Sequence, residues 1–237
     1  MPDLKGTPVV ITGASRGIGR ELVLRCAREG AKIAFCGRDR EALEKTDRDA
    51  RGTGAAMTMF SALDLMDPAL AAEFYREAAR RVGAPRVLIN NAGLNTRKAR
   101  LWEHPIEEFD RMMGVNVRAA FVLMQEACRD MREQGGGSIV NILSTVCHYD
   151  NERMSVYTAT KKALQGLTDV LRKEAREHGV RVISIYPGGT DTEFRAEARP
   201  RYMRPASVAE AVVRALTMPD DLVVHHLTFR PMVETNF

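Results

Sequence analysis

The sequence lacks closely spaced cysteines. Its four cysteines lie far apart and form no CxxC pair: they are Cys26, Cys36, Cys128 and Cys147. Structural zinc sites and the disulfide frameworks of small secreted domains both need characteristic cysteine spacings. We therefore expect reduced thiols and no metal site.

The sequence also lacks a long apolar run and a signal peptide. No run approaches the ~20 apolar residues of a membrane span, and the opening Met-Pro-Asp-Leu-Lys leads directly into a strand-like run. We therefore expect a cytoplasmic protein without membrane association. Aromatic residues make up 6% of the chain and the net charge is only +4. The basic surface and stacking side chains of a nucleic-acid-binding protein are therefore not predicted.

What the chain does contain is a regular alternation of apolar runs and helical patterns. Helical patterns include a long helix over 153–177 and a last helix with Ser207 as its N-cap. The alternation predicts an α/β fold, with a doubly wound, seven-stranded parallel sheet flanked by helices on both faces. No linker-like stretch divides the 237 residues, so one domain is expected over 1–237. Runs typical of buried parallel strands occupy residues 8–12, 31–36, 55–60, 86–90, 138–143, 180–186 and 222–229.

Three glycines follow the first predicted strand: Gly13, Gly17 and Gly19. Glycine lets the backbone turn tightly and approach a ligand closely, and the helix N-terminus behind it offers N–H groups to a pyrophosphate. The spacing is GxxxGxG, which differs from the GxGxxG fingerprint and from the phosphate loop. A glycine-rich turn without a ligand is the alternative, but the place after strand 1 favours a dinucleotide.

The end of the second strand bears on the choice of cofactor. Sites for NAD usually place an acid there, whereas this chain has Gly37 followed by Arg38, with Arg16 in the glycine loop. Two guanidiniums suit a 2′-phosphate, because arginine binds phosphate bidentately. The carboxylate of Asp39, one residue further on, argues weakly against a 2′-phosphate site. In the alternative interpretation, Arg38 is a solvated residue at the start of the next helix. We predict NADP(H) in preference to NAD(H).

Tyr157 and Lys161 stand four residues apart, so a helix places them on one face. A phenol normally holds its proton to about pH 10, and a neighbouring ammonium lowers that pKa. Such a pair is suited to general acid–base catalysis. An isolated pair of this kind is also typical of a surface tyrosine over a lysine stem, so the rest of the chain must decide.

Further motifs accompany the glycine loop and the Tyr–Lys pair. In chain order, the set is residues 12–19, the Asn-Asn-Ala-Gly of residues 90–93, Asn116, Ser144, Tyr157 with Lys161, and residues 187–192. In their order and spacing these motifs resemble the short-chain dehydrogenase/reductase family over essentially the whole chain, and the 3-oxoacyl-carrier-protein reductase branch most closely. The resemblance implies a single Rossmann-type domain.

The resemblance implies four catalytic residues. Tyr157 would exchange the proton with the substrate oxygen, and Lys161 would lower the pKa of Tyr157 and bind the nicotinamide ribose. Ser144, thirteen residues before Tyr157, would hold the carbonyl oxygen. Asn116 would lie at an irregularity in its helix and hold a water that links Lys161 to solvent.

The resemblance also implies the cofactor contacts. Asp64 and Leu65 would contact the adenine, and residues 187–192 would close over the nicotinamide carboxamide, followed by a short substrate lid at about 190–205. The implied cofactor-binding residues are Gly13, Ser15, Arg16, Gly17, Ile18, Gly19, Arg38, Asp64, Leu65, Asn91, Ala92, Gly93, Tyr157, Lys161, Pro187, Gly188, Thr190 and Thr192.

The predicted function is therefore NADPH-dependent hydride transfer between nicotinamide and a carbonyl or secondary alcohol. A family member that has lost catalysis and acts as a binding or regulatory protein is the alternative. A 3-oxoacyl thioester, a sugar-like polyol and a small ketone all stay open as substrates, and an acyl carrier protein is a conceivable partner. In relatives the helices matching residues 115–133 and 153–177 pair across a two-fold axis, so a homo-oligomer, a tetramer or a dimer, is expected.

Three features depart from the family pattern or lie outside it. Cys147 and His148 replace small residues found after the catalytic serine in many relatives, and we expect both to shape the substrate pocket. The alternatives are a proton relay through His148 and a nucleophilic Cys147. The basic stretch 97–100 is expected to be a solvated loop, with attraction of an acidic substrate or carrier as the alternative.

Overall fold

The computed structural model describes residues 3–194 and 198–235. One sheet of seven strands runs through it in the order β3-β2-β1-β4-β5-β6-β7, and every neighbouring pair is parallel. The predicted seven-stranded parallel sheet is thus confirmed. The strands are β1 (Pro8–Thr12), β2 (Lys32–Gly37), β3 (Met57–Ala62), β4 (Val87–Asn90), β5 (Gly137–Ile142), β6 (Val180–Pro187) and β7 (His226–Phe229).

Helices cover both faces of the sheet. Buried residues of α1, α2 and α7 form one core with the sheet, and those of α3, α5 and α6 form the other. The strand order reverses between β1 and β4, which is where an open α/β sheet leaves a crevice for a ligand. The helices are α1 (Gly17–Arg28), α2 (Arg40–Thr53), α3 (Pro68–Val82), α4 (Ile106–Met113), α5 (Ala119–Glu133), α6 (Ser155–Glu174) and α7 (Pro205–Leu216).

Several predicted boundaries are wrong. The last helix begins at Pro205 with Arg204 as its N-cap, not at Ser207, because proline is pre-organised for the first helical position. Strand β7 begins at His226, not at residue 222, because it pairs only with the last four residues of β6. The long predicted helix is shorter, since α6 ends at Glu174 and a 3₁₀ turn, Arg176–His178, precedes the left-handed Gly179.

Helix length and apolarity also bear on membrane insertion. In the part of the chain that the structure describes, no helix combines the length and the apolar character that crossing a bilayer requires.

Candidate active site

A cleft of about 1560 Å³ opens at the carboxyl ends of the strands. It brings together Ser144 and every residue predicted to bind the cofactor, from Gly13 to Thr192. Of the predicted site residues, all of which are described, Asn116 alone does not line the cleft; it is fully buried. The glycine loop, the ends of β2, β3 and β4, and the Tyr–Lys pair therefore face one shared space.

The N-terminus of α1 points into this cleft without a side-chain cap. Among the described residues, its N-cap Arg16 makes no capping hydrogen bond and its first turn holds no acid. By contrast, Asp39 caps α2 and Asp67 caps α3. Uncapped N–H groups at the positive end of a helix dipole are suited to a phosphate. The residues present therefore fit the pyrophosphate of a dinucleotide.

Hydrogen bonds from the Asn91 side chain fix the conformation of the glycine loop. The side-chain amide of Asn91 donates to the carbonyl oxygens of Thr12, at 2.9 Å, and Gly13, at 3.1 Å. Gly13 and Gly17 have φ values of +70° and +56°, which L side chains rarely adopt. The loop thus needs its glycines to present the α1 N-terminus to the cleft.

The end of β2 carries Gly37, and Ser15 packs closely against it. A Cβ on Gly37 would lie 2.2 Å from the hydroxyl oxygen of Ser15. Asp39, the nearest carboxylate in sequence, accepts from the backbone N–H of Ala42 at 3.1 Å and so caps α2. Arg16 and Arg38 are both exposed and line the same end of the cleft. This end therefore presents two guanidiniums where sites for NAD usually carry a carboxylate.

The Tyr157–Lys161 pair is buried at the other end of the cleft. Tyr157 is 8% exposed and Lys161 is 3% exposed. The Lys161 ammonium donates to the carbonyl oxygen of Ile142 at 2.8 Å and lies 5.8 Å from the centre of the Tyr157 ring. Burial lowers the pKa of Lys161 to about 8. The side-chain oxygen of Ser144 accepts from the backbone N–H of Val146 at 3.3 Å.

Asn116 lies within a π turn, Gly114–Arg118, between α4 and α5. Its side chain bridges to the backbone of Leu94, accepting from the N–H at 2.8 Å and donating to the carbonyl at 2.9 Å. It also donates to the hydroxyl of Thr160 at 3.0 Å. A Cβ on Gly93 would lie 3.4 Å from the Lys161 ammonium and 3.6 Å from the Asn116 oxygen. The helix irregularity expected at Asn116 is therefore present, and it lies next to Lys161.

The lowered pKa of Lys161 predicts an alkaline limit on activity. Lys161 is charged below its pKa of about 8 and neutral above it, so stabilisation of a Tyr157 phenolate is lost as the pH rises. The pH profile of kcat/KM for carbonyl reduction should decline by about tenfold per pH unit above that value. Lys162→Met, which removes the exposed neighbouring ammonium, should leave the decline in place. A profile that stays flat to about pH 10 would contradict this role.

Cys147 and His148 are not among the described residues that line the cleft, so their expected pocket roles stay predictions. Cys147 ends the 3₁₀ turn Thr145–Cys147 and packs on the sheet core, and the His148 ring lies 4.4 Å from that of Tyr186. Burial raises the pKa of the Cys147 thiol, which disfavours a thiolate nucleophile.

Two loops with expected roles also reach the cleft. Lys98 of the basic stretch 97–100 lines the cleft, whereas the Arg100 guanidinium lies 5.5 Å from the centre of the Trp102 ring. The predicted lid is pinned by a bridge between Thr190 and Met203. Residues 195–197 of that lid lie outside the described residues.

Sequence reasoning missed one wall of the cleft. Arg230, Val233, Glu234 and Thr235, after β7, line the cleft together with Tyr157. The doubled glycine at residues 188–189 was the signal that something approaches that turn closely.

The fold and the cleft define a nicotinamide-dependent oxidoreductase, with a dinucleotide loop after β1 and a buried Tyr–Lys pair facing the same space. The chain belongs to the short-chain dehydrogenase/reductase family, since the family model described as short chain dehydrogenase matches residues 7–203. It is an NAD(P)-dependent dehydrogenase/reductase.

Relatives and solved structures agree with this assignment. An uncharacterised oxidoreductase of Staphylococcus aureus strain MW2 is 31% identical over 226 residues, which is 94% of this chain and 96% of the relative. An alcohol dehydrogenase from the archaeon Thermococcus sibiricus, complexed with 5-hydroxy-NADP, superposes with a TM-score of 0.89 at 28% identity and covers 97% of this chain and 98% of its own. A metagenomic short-chain oxidoreductase in complex with NADP gives a TM-score of 0.87 at 28% identity, covering 98% of this chain and 99% of its own.

Proposed function

We propose that this protein is an NADPH-dependent carbonyl reductase, or the corresponding alcohol dehydrogenase, with Tyr157 as its general acid and base. The observation that carries the proposal is the buried Lys161 ammonium, 5.8 Å from the centre of the Tyr157 ring, in the cleft that also contains the glycine loop. An ammonium so close favours the phenolate form of its neighbour.

Each catalytic side chain has a separate task. When bound, the nicotinamide cofactor supplies or accepts the hydride. Carbonyl reduction builds negative charge on the substrate oxygen, and the hydroxyls of Ser144 and Tyr157 are donors suited to that charge. Tyr157 gives the oxygen its proton during reduction and takes it back during oxidation.

Lys161 and Asn116 support the proton transfer at Tyr157. Lys161 holds the charge that stabilises a Tyr157 phenolate, and its burial keeps that charge unscreened. The π turn replaces the regular i→i+4 bonding pattern with i→i+5 bonds around Asn116. We propose that Asn116 and this turn hold a water that returns protons from solvent to Lys161.

The preference for NADPH is proposed from Arg16 and Arg38. Both arginines line the adenosine end, and Gly37 stands where sites for NAD usually carry an acid. Charge-assisted hydrogen bonds from arginine to phosphate are about twice as strong as neutral ones. The NADP named for two of the similar structures is consistent with this preference.

The test measures steady-state oxidation of NADPH and of NADH with 3-oxoacyl thioesters, small ketones and sugar-derived carbonyls. At least one carbonyl should be reduced, with a higher kcat/KM for NADPH than for NADH. Replacing Arg16 and Arg38 together by Ser should lower the NADPH-to-NADH ratio of kcat/KM by about 10–100-fold, because two charge-assisted contacts to the 2′-phosphate disappear.

Arg40→Ser is the matched control, since Arg40 is an exposed arginine at the start of α2 and is not among the described residues that line the cleft. It should leave the ratio unchanged. If NADPH binds but no carbonyl is reduced, the chain is a binding or regulatory protein. An unchanged ratio in the double variant would refute the role of the two arginines.

We also propose a cytoplasmic homo-oligomer, a tetramer or a dimer. Exposed apolar side chains on the two helices involved, Phe121 on α5 at 42% and Val170 on α6 at 56% exposure, support pairing through these helices. The 3-oxoacyl-carrier-protein reductase branch, and an acyl carrier protein as partner, stay predictions.

A further inference from the structure

The C-terminal segment, residues 230–235, carries a carboxylate into the cleft. Glu234 is only 15% exposed and pairs with Arg230, 9% exposed, at 3.0 Å. One Glu234 oxygen accepts from the backbone N–H of Gly189 at 2.9 Å. Gly189 is buried in the turn that follows β6, so its N–H depends on an acceptor within the protein.

The two glycines of this turn leave the space that the carboxylate fills. A Cβ on Gly188 would lie 2.6 Å from one Glu234 oxygen, and a Cβ on Gly189 would lie 2.8 Å from the other. Tyr202 closes the remaining side, since its ring would lie 2.4 Å from the same Cβ on Gly189. The turn and the carboxylate therefore fit each other closely.

Arg230 extends this contact to the catalytic loop. Its guanidinium lies 4.7 Å from the centre of the ring of Tyr149, a residue of the loop that begins at Ser144. The Arg230–Glu234 pair thus connects the turn after β6 with the loop of the catalytic serine. A pair held by an ion contact and by stacking over an aromatic ring is well suited to fix two loops at a set distance.

We propose that Glu234 is a positioning residue that fixes the turn of residues 187–190 against the nicotinamide half of the cofactor. This rests on the proposed function, because it needs a nicotinamide in that part of the cleft. Without the carboxylate, the buried Gly189 N–H loses its acceptor and the turn rearranges. The glycine loop and Arg38, which line the other end of the cleft, would hold the rest of the cofactor, so contacts there should be unaffected.

The test compares two ligands in binding titrations: NADPH, and 2′-phospho-ADP-ribose, which lacks the nicotinamide. Glu234→Ala should raise the Kd for NADPH by about tenfold and leave that for 2′-phospho-ADP-ribose within about twofold. Glu234→Gln, which keeps a carbonyl oxygen for the Gly189 N–H, should restore most of the NADPH affinity.

Glu29→Ala is the matched control. It removes a carboxylate paired with Arg25 in the same i, i+4 order but outside the cleft, and it should change neither Kd. An equal loss for both ligands in Glu234→Ala, or no loss for either, overturns the positioning role. If the unmodified chain binds neither ligand, the proposed cofactor use is itself wrong.

Discussion

Tyr157→Phe lowers kcat for carbonyl reduction by about 10²–10⁴-fold, the range typical of a lost general acid. The substrate oxygen then has no phenol to protonate it, while the buried ring still packs between the cleft and the core around Val156. Because only a hydroxyl is removed, the fold should be retained, and the affinity for NADPH should fall far less than kcat. Steady-state rates and an NADPH titration measure the two effects separately.

Tyr75→Phe is the matched control for this prediction. Tyr75 is 1% exposed on α3 and does not belong to the described lining of the cleft. Removal of its hydroxyl should leave kcat within about twofold. Carbonyl reduction at the unmodified rate in Tyr157→Phe would show that the proton comes from another group.

Gly19→Ala is expected to disrupt both the fold and the cofactor cleft. Its Cβ would lie 2.1 Å from the carbonyl oxygen of Gly13 and 2.5 Å from the side-chain nitrogen of Asn91. The nearer atom is backbone, so α1 must move away from the turn after β1. Unfolding free energy should fall by about 3 kcal/mol, and NADPH affinity should fall because the α1 N-terminus is displaced.

Gly52→Ala makes the same chemical change where space is open. In α2, nothing described lies within 4 Å of a Cβ on Gly52, so the added methyl should stabilise the chain by about 0.5 kcal/mol through helix propensity. Chemical denaturation measures both variants. Equal stability of Gly19→Ala and Gly52→Ala would show that the glycine loop is not closely packed.

The sequence predicted those parts of the site that depend on short spacings. Gly13, Gly17 and Gly19 lie within one loop, and Tyr157 and Lys161 lie within one helical turn, so local geometry alone brings them together. The alternation of strands and helices predicted where the ends of those strands meet. That is why the cleft contains the residues expected of it.

The features that the sequence did not predict depend on contacts between residues far apart in the chain, or on irregular turns. The contact between Gly189 and Glu234 joins residues 45 positions apart, and no periodicity marks it. Cys147 and His148 follow Ser144 closely, but an irregular 3₁₀ turn separates them from it, and neither is among the described residues that line the cleft. Residues 222–225 are apolar in part, but the ladder between β6 and β7 begins only at Ser184 and His226.

The π turn at Gly114–Arg118 constrains how this part of the chain can change in evolution. A π turn holds one residue more than an α-helical turn. Deleting that residue would leave an ordinary helical turn, so the buried face of α5, with Leu123 and Met131, would still face the sheet. The deletion would instead remove the irregularity in which Asn116 lies, next to Lys161. A one-residue gap at residues 114–118 in a sequence alignment therefore marks a relative that has lost this feature of the site and kept the fold.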